Sequence, residues 1–158
     1  MARLKIITDQ AFLHQKSKPV TEFTPRLWQF IDDMRETMRA ADGVGLAAVQ
    51  VGVLYRICIV DTPNGVIELV NPEILELHEQ EKDKDDCPSV KFLKGKEGCL
   101  SVPKTYVVVN RPQKVTVRAQ DKWGKEFTRT FEKMEAVIAC HEIDHLDGVL
   151  ITDKETED

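Results

Sequence analysis

Apolar positions recur along this chain with two different periods, and the changes of period mark its elements. Leu27, Phe30, Ile31, Met34, Met38 and Ala41 follow the i, i+3, i+4, i+7 spacing of an amphipathic helix. Thr24-Pro25 supplies a side-chain cap and a first helical residue of preset φ, and Gly43 supplies a stop. The chain then turns to β-branched runs, Val53 to Val60 and Val66 to Val70, joined by the turn Asp61-Thr62-Pro63-Asn64-Gly65. Asn71-Pro72 is expected to break the second run, with Ile74 to Leu77 resuming it. Thr105 to Val109 reads as a strand. Lys114 to Gln120 alternates and pairs with Glu126 to Phe131 through Asp121-Lys122-Trp123-Gly124. Residues 3–8 also fit a short strand. The last helix runs from about Glu132 to Leu146, with Met134, Val137, Ile138, His141 and His145 as its buried stripe.

Length adds one domain over residues 1–158, enough to bury a core. Between Glu79 and Asp86, seven of eight residues are charged, so 78–96 is expected to be a solvated mobile loop or hairpin tip. The acidic residues 151–158 read as a frayed tail. A net charge of −5 without a basic stripe argues against nucleic acid as a partner. No apolar run approaches membrane-span length and no secretory leader opens the chain, so the expectation is no membrane partner and a cytoplasmic location. There Cys58, Cys87, Cys99 and Cys140 serve as thiols or metal ligands rather than disulfides.

The chemistry concentrates in His141-Glu142-Ile143-Asp144-His145. On a helix, imidazoles four positions apart share a face and can hold one metal ion. Glu142 stands beside the first of them, where a general base acting on water is needed. A catalytic ion needs a third protein ligand. The usual downstream positions fail: Ile151 stands where one class of zinc protease has a third His, and Glu155 and Glu157 lie in the tail. Upstream, Cys140 points about 100° away round the helix. Cys58 lies mid-strand, His78 and Cys87 flank the charged segment, and His14 is remote. Cys99, in a glycine-bearing turn before a strand, is the best-placed candidate, though the residues alone do not decide it. A second feature is Gly43-Val44-Gly45-Leu46-Ala47-Ala48-Val49-Gln50, whose bare backbone admits close approach of a ligand or simply packs a turn.

Gly43 to Gln50, Glu97-Gly98-Cys99-Leu100-Ser101 and His141 to Gly148 resemble, in sequence and in order, the three signature motifs of the peptide deformylases. The resemblance implies an α+β fold of antiparallel β-sheets packed around a central C-terminal helix that carries the metal motif. It implies hydrolysis of the N-formyl group from the initiator methionine of nascent polypeptides, giving formate. Cys99, His141 and His145 then hold Fe²⁺, for which Zn²⁺, Ni²⁺ or Co²⁺ can substitute, and Glu142 moves the proton. The Gln50 amide and Leu100 backbone N–H become oxyanion donors. Val44, Gly45, Gly98 and Tyr106 line a substrate groove, with Met134, Val137 and Ile138 as the methionine seat. Glu97 and Arg111 form a supporting pair. Many relatives continue past Gly148 into a helix linked to ribosome contact, so ribosome docking is left open. Two rival readings remain: a zinc endopeptidase independent of Cys99, and a structural metal protein closed by a fourth Cys or His.

Overall fold

The computed structural model describes residues 3–77, 79–82, 88–90 and 92–155. The first helical turn, α1 (Gln10–Leu13), is capped by Asp9, whose side chain accepts from Ala11 N–H. Helix α2 (Pro25–Ala40) begins as its sequence requires, with the Thr24 hydroxyl accepting from Leu27 N–H. Its end differs slightly from expectation: Asp42, not Gly43, takes the left-handed conformation, at φ 56°. Gly43 lies close to Leu100 instead, since a Cβ there would sit 2.9 Å from Leu100 Cδ1 and displace that side chain.

Strands β1 (Gly45–Ala47), β2 (Ile57–Thr62), β3 (Gly65–Leu77), β8 (Lys114–Gln120) and β9 (Glu126–Glu132) form one antiparallel sheet in the order β1-β2-β3-β8-β9. In β2 every residue from Ile57 to Val60 is buried, because both faces of the sheet are covered. Ile57 and Ile59 join Ile31, Met34 and Met38 of α2 in one core. Cys58 and Val60 face the other core, with Ala139, Ile143 and Leu146 of α3 (Met134–Leu146).

Helix α3 is therefore central rather than amphipathic. Every residue from Ile138 to Ile143 is buried, with His145 and Leu146. The expected buried stripe is corrected at its first member: Met134 is 65% exposed. Gly148, at φ 76°, ends this region against the His14 carbonyl, where a Cβ would lie 2.5 Å from the oxygen. On another side of α3 lies a separate two-stranded sheet, β6 (Phe92–Cys99) with β7 (Val102–Pro112). A short pair, β4 (Glu79–Lys82) with β5 (Pro88–Val90), precedes it. The charged stretch, expected as a mobile loop or hairpin tip, carries these two paired strands; His78 and residues 83–87, Cys87 included, lie outside the described residues.

Other expectations change for non-local reasons. Residues 3–8 form no strand; Leu4 N–H donates to Thr37 Oγ1 (2.8 Å) and Ile7 N–H to Gln50 O (2.7 Å) instead of entering a ladder. Asn71-Pro72 does not end β3, because a register shift between Val70 and Glu73 absorbs it and the Asn71 side chain bonds both Val20 and Gln120. Within the segment expected to fray, Ile151–Asp153 forms a 3₁₀ turn with Ile151 buried. Residues 156–158 lie outside the described residues. No helix among the described residues is long and apolar enough to cross a membrane.

Candidate active site

Three elements converge on one cleft. After β1 the chain makes a 3₁₀ turn (Ala48–Val51), and Gln50 Oε1 accepts from Ala47 N–H at 2.9 Å. That bond fixes the amide so that Nε2 points at Cys99 Sγ (3.5 Å) and Ser101 Oγ (3.2 Å). In the β6–β7 hairpin, Gly98 pairs with Tyr106 but Cys99 pairs with Val102. The irregularity, with Lys104 at φ 62°, turns Cys99 toward α3, while Leu100 packs against the α2 core. A Cβ on Gly98 would lie 2.7 Å from Tyr106 Cε1, so the tyrosine ring lies directly over bare backbone.

From α3, helical spacing aims both imidazoles at the thiol. His145 Nε2 lies 3.3 Å from Cys99 Sγ and 3.3 Å from His141 Nε2. The three donor atoms all fall within 4.8 Å of one another. Donors set tetrahedrally at about 2.0–2.1 Å (nitrogen) and about 2.3 Å (sulfur) from an ion are separated by about 3.3–3.6 Å. Cys99, His141 and His145 therefore fit a divalent cation. Three protein donors also leave one position of such a set for water or substrate, the arrangement of a catalytic rather than a closed site.

The electrostatics agree with a cation in this place. Burial disfavours a charged His141, yet Cys99, Glu97 and Glu142 together push its pKa up to about 10. Burial and the neighbouring His141 charge hold His145 well below its usual range. The two imidazole rings stand 5.0 Å apart.

A buried ionic chain fixes His141 from behind. Its Nδ1 bonds Glu97 Oε1 at 2.9 Å. Arg111, 2% exposed, grips the same carboxylate with Nε (2.9 Å) and Nη2 (3.0 Å) and reaches Asp144 with Nη1. Burial alone would raise the Glu97 pKa, but the His141 and Arg111 bonds outweigh it and keep the group ionised. A carboxylate on the outer nitrogen fixes which ring nitrogen faces a metal.

Glu142 stands on the open side. Burial pushes its carboxyl up to about 7, against the opposing pull of the His141 and Arg111 charges. Oε1 lies 3.6 Å from His141 Nε2, and Oε2 bonds no described protein group. A carboxyl poised near neutrality suits proton transfer in both directions. A Cβ on Gly45 would sit 2.9 Å from both Glu142 Cγ and Ile138 Cγ2, so β1 passes against this carboxylate with no room to spare.

The cleft, about 450 Å³, is lined by every residue expected of a substrate groove: Val44, Gly45, Gly98, Tyr106, Met134, Val137 and Ile138. Leu100 lines it too, as do Asp42, Pro103 and Lys104, which sequence reasoning had not singled out. Ser101 and Asp144 were likewise missed as partners of Gln50 and Arg111. Both stood inside the motifs, but their contacts cross between elements. Cys58 and Cys140 are buried away from the cage, and His14 bonds Asp153 instead.

Comparison with known proteins agrees with this geometry. A family model described as polypeptide deformylase matches residues 3–158. A peptide deformylase from Caldicellulosiruptor bescii is 49% identical over 155 residues, spanning 98% of this chain and 86% of the relative. One from Acetivibrio thermocellus is 46% identical over 142 residues, spanning 90% and 76%. The crystal structure of peptide deformylase from Thermotoga maritima superposes with a TM-score of 0.88 at 36% identity, covering 99% of both chains.

Proposed function

The chain belongs to the polypeptide deformylase family, and we propose on that footing a division of labour among its cleft residues. It is a metal-dependent hydrolase that removes the N-formyl group from the N-terminal formylmethionine of nascent polypeptides and releases formate. The observation that carries the reading is the donor set of Cys99, His141 and His145, open on the side where Glu142 and Gln50 face the cleft.

A divalent ion held by those three residues supplies Lewis acidity, which lowers the pKa of a water from about 15.7 towards about 7. Glu142 accepts the proton of the attacking water as its oxygen bonds to the formyl carbon. The carbon–nitrogen bond then breaks, Glu142 returns the proton to the departing amine, and formate leaves. Gln50 Nε2–H and Leu100 N–H donate to the formyl oxygen as charge develops on it. Because Ala47 N–H holds Gln50 Oε1, this donor is oriented before substrate arrives.

The substrate backbone enters extended between β1 and β6. β1 is an edge strand of the larger sheet, β6 belongs to a separate pair, and Val44, Gly45 and Gly98 line the gap. Strand addition of this kind binds any peptide by its main chain and leaves selection to side-chain pockets. Ile138 and Val137 form the floor for the methionine side chain, with Met134 at the exposed rim. Iron(II) is the resident ion in this reading. Thiolate with two imidazoles also accepts Zn²⁺, Ni²⁺ or Co²⁺. The net charge of −5 supports a peptide rather than a nucleic-acid substrate, and the cytoplasm, where formylated chains emerge, is the place of action.

Replacement of Glu142 tests the assignment. Glu142→Ala is expected to keep stoichiometric metal and lose turnover; normal deformylation by that variant would overturn the proton-transfer role.

A further inference from the structure

Among the described residues, the hairpin that delivers Cys99 forms a sheet of its own, apart from the five-stranded sheet. The metal donors therefore come from two bodies: the hairpin brings the sulfur, and α3 brings both imidazoles. A cage built across a joint holds its geometry only as well as the joint is held, and metal–donor distances are expected within about 0.2 Å of their standard values. Arg111, between β7 and Asp144 of α3, is one tie across it.

The segment after α3 makes three more. Ile151, 2% exposed, packs on Val107 and Val109 of β7, and Cys99 packs against the same cluster. Lys154 Nζ lies 3.5 Å from Asp144 Oδ2, the carboxylate that Arg111 also holds. Glu155 forms an antiparallel bridge with Val109. Within the segment, Asp153 Oδ2 accepts from Leu150 N–H (2.8 Å) and meets His14 Nε2 (2.9 Å), which anchors the turn to the N-terminal region.

We propose that Ile151–Glu155 is a clasp for the metal centre, with Ile151 and Lys154 as positioning residues that set the Cys99 sulfur against His141 and His145. Ile151 is an apolar wedge packed in one cluster with the Cys99 side chain, outside the cleft lining. Lys154 ties the same segment to the helix that carries the imidazoles. Neither residue lines the cleft, so neither touches substrate. The inference rests on the reading of this cleft as a metal centre.

The test is Zn²⁺ affinity, measured on the full chain by chelator competition, with the sulfur-to-metal absorption band of the Co²⁺-loaded protein as a second readout. Ile151→Ala is expected to weaken Zn²⁺ binding by about 10–100-fold and to shift the Co²⁺ band, the scale of effect seen when a metal ligand loses its support. Lys154→Met, which keeps the aliphatic stem, weakens binding by a smaller factor. Ile151→Val restores both readouts toward the parent. Ile31→Ala removes a comparable buried side chain from the far core and serves as the stability control; it leaves affinity and spectrum at parental values. Parental affinity in Ile151→Ala, or an equal loss in Ile31→Ala, overturns the proposal. If Ile151→Ala does not fold, Lys154→Met decides: parental affinity and spectrum there overturn it. Failure of the parent protein itself to bind Zn²⁺ would instead defeat the metal-centre reading.

Discussion

Gln50 and Cys99, 49 positions apart in the chain, meet with the amide nitrogen 3.5 Å from the thiol sulfur. The contact places a fixed hydrogen-bond donor beside the metal donor set, and in the proposed mechanism this donor meets the formyl oxygen as charge develops on it. Gln50→Ala is expected to lower kcat by about 10²–10³. The metal donors are untouched, so metal content stays at parental level. Steady-state kinetics alongside metal analysis checks both; a loss confined to KM would contradict the oxyanion role.

Gly45 predicts a steric effect on Glu142. In Gly45→Ala the new methyl meets Glu142 Cγ and Ile138 Cγ2 at 2.9 Å, so the carboxylate or the strand must move. Displacement of a catalytic group by about 1 Å costs on the order of 10²-fold in rate. The variant should fold and bind metal but turn over correspondingly slowly, as circular dichroism and kcat together would show.

Arg111 carries stability as well as alignment. Its side chain is 3% exposed and faces two carboxylates, Glu97 and Asp144. Arg111→Met removes the cation and leaves both anions in the interior, a change expected to cost about 3–5 kcal/mol. Urea unfolding of the ion-free protein measures it. A midpoint within error of the parent would show that His141 and Lys154 suffice to hold Glu97 and Asp144.

The thiols should divide sharply in reactivity. Burial pushes Cys140 up to about 12 and raises Cys58 well above its usual range, so both stay protonated at neutral pH. Cys99 is partly exposed in the cleft. In metal-free protein at neutral pH, a maleimide is expected to label Cys99 and spare Cys58 and Cys140, and added Zn²⁺ should protect Cys99. Peptide mapping by mass spectrometry distinguishes these sites from Cys87.

What the sequence revealed and hid follows the range of the interactions involved. His141, Glu142 and His145 were legible because helical geometry alone places them on one face. Cys99 needed the hairpin, and Asp144 needed Arg111 from another element. The apolar run of β2 concealed its two-sided burial, since a strand covered on both faces loses its alternation. Asn71 looked like a strand breaker, but its amide is satisfied by Val20 and Gln120, about fifty positions away. Ile151 and Lys154 sit in acidic sequence that reads as a tail, and only β7 and α3 give them partners.

Formate release from formyl-Met-Ala-Ser by protein loaded anaerobically with Fe²⁺ is the decisive measurement. Formate is expected in equal amount to newly freed methionine amine, with the Met-Ala and Ala-Ser bonds intact. Cys99→Ala is expected to lose the activity along with its metal. Cleavage of internal peptide bonds without formate, or undiminished formate release by Cys99→Ala, would contradict the proposed mechanism.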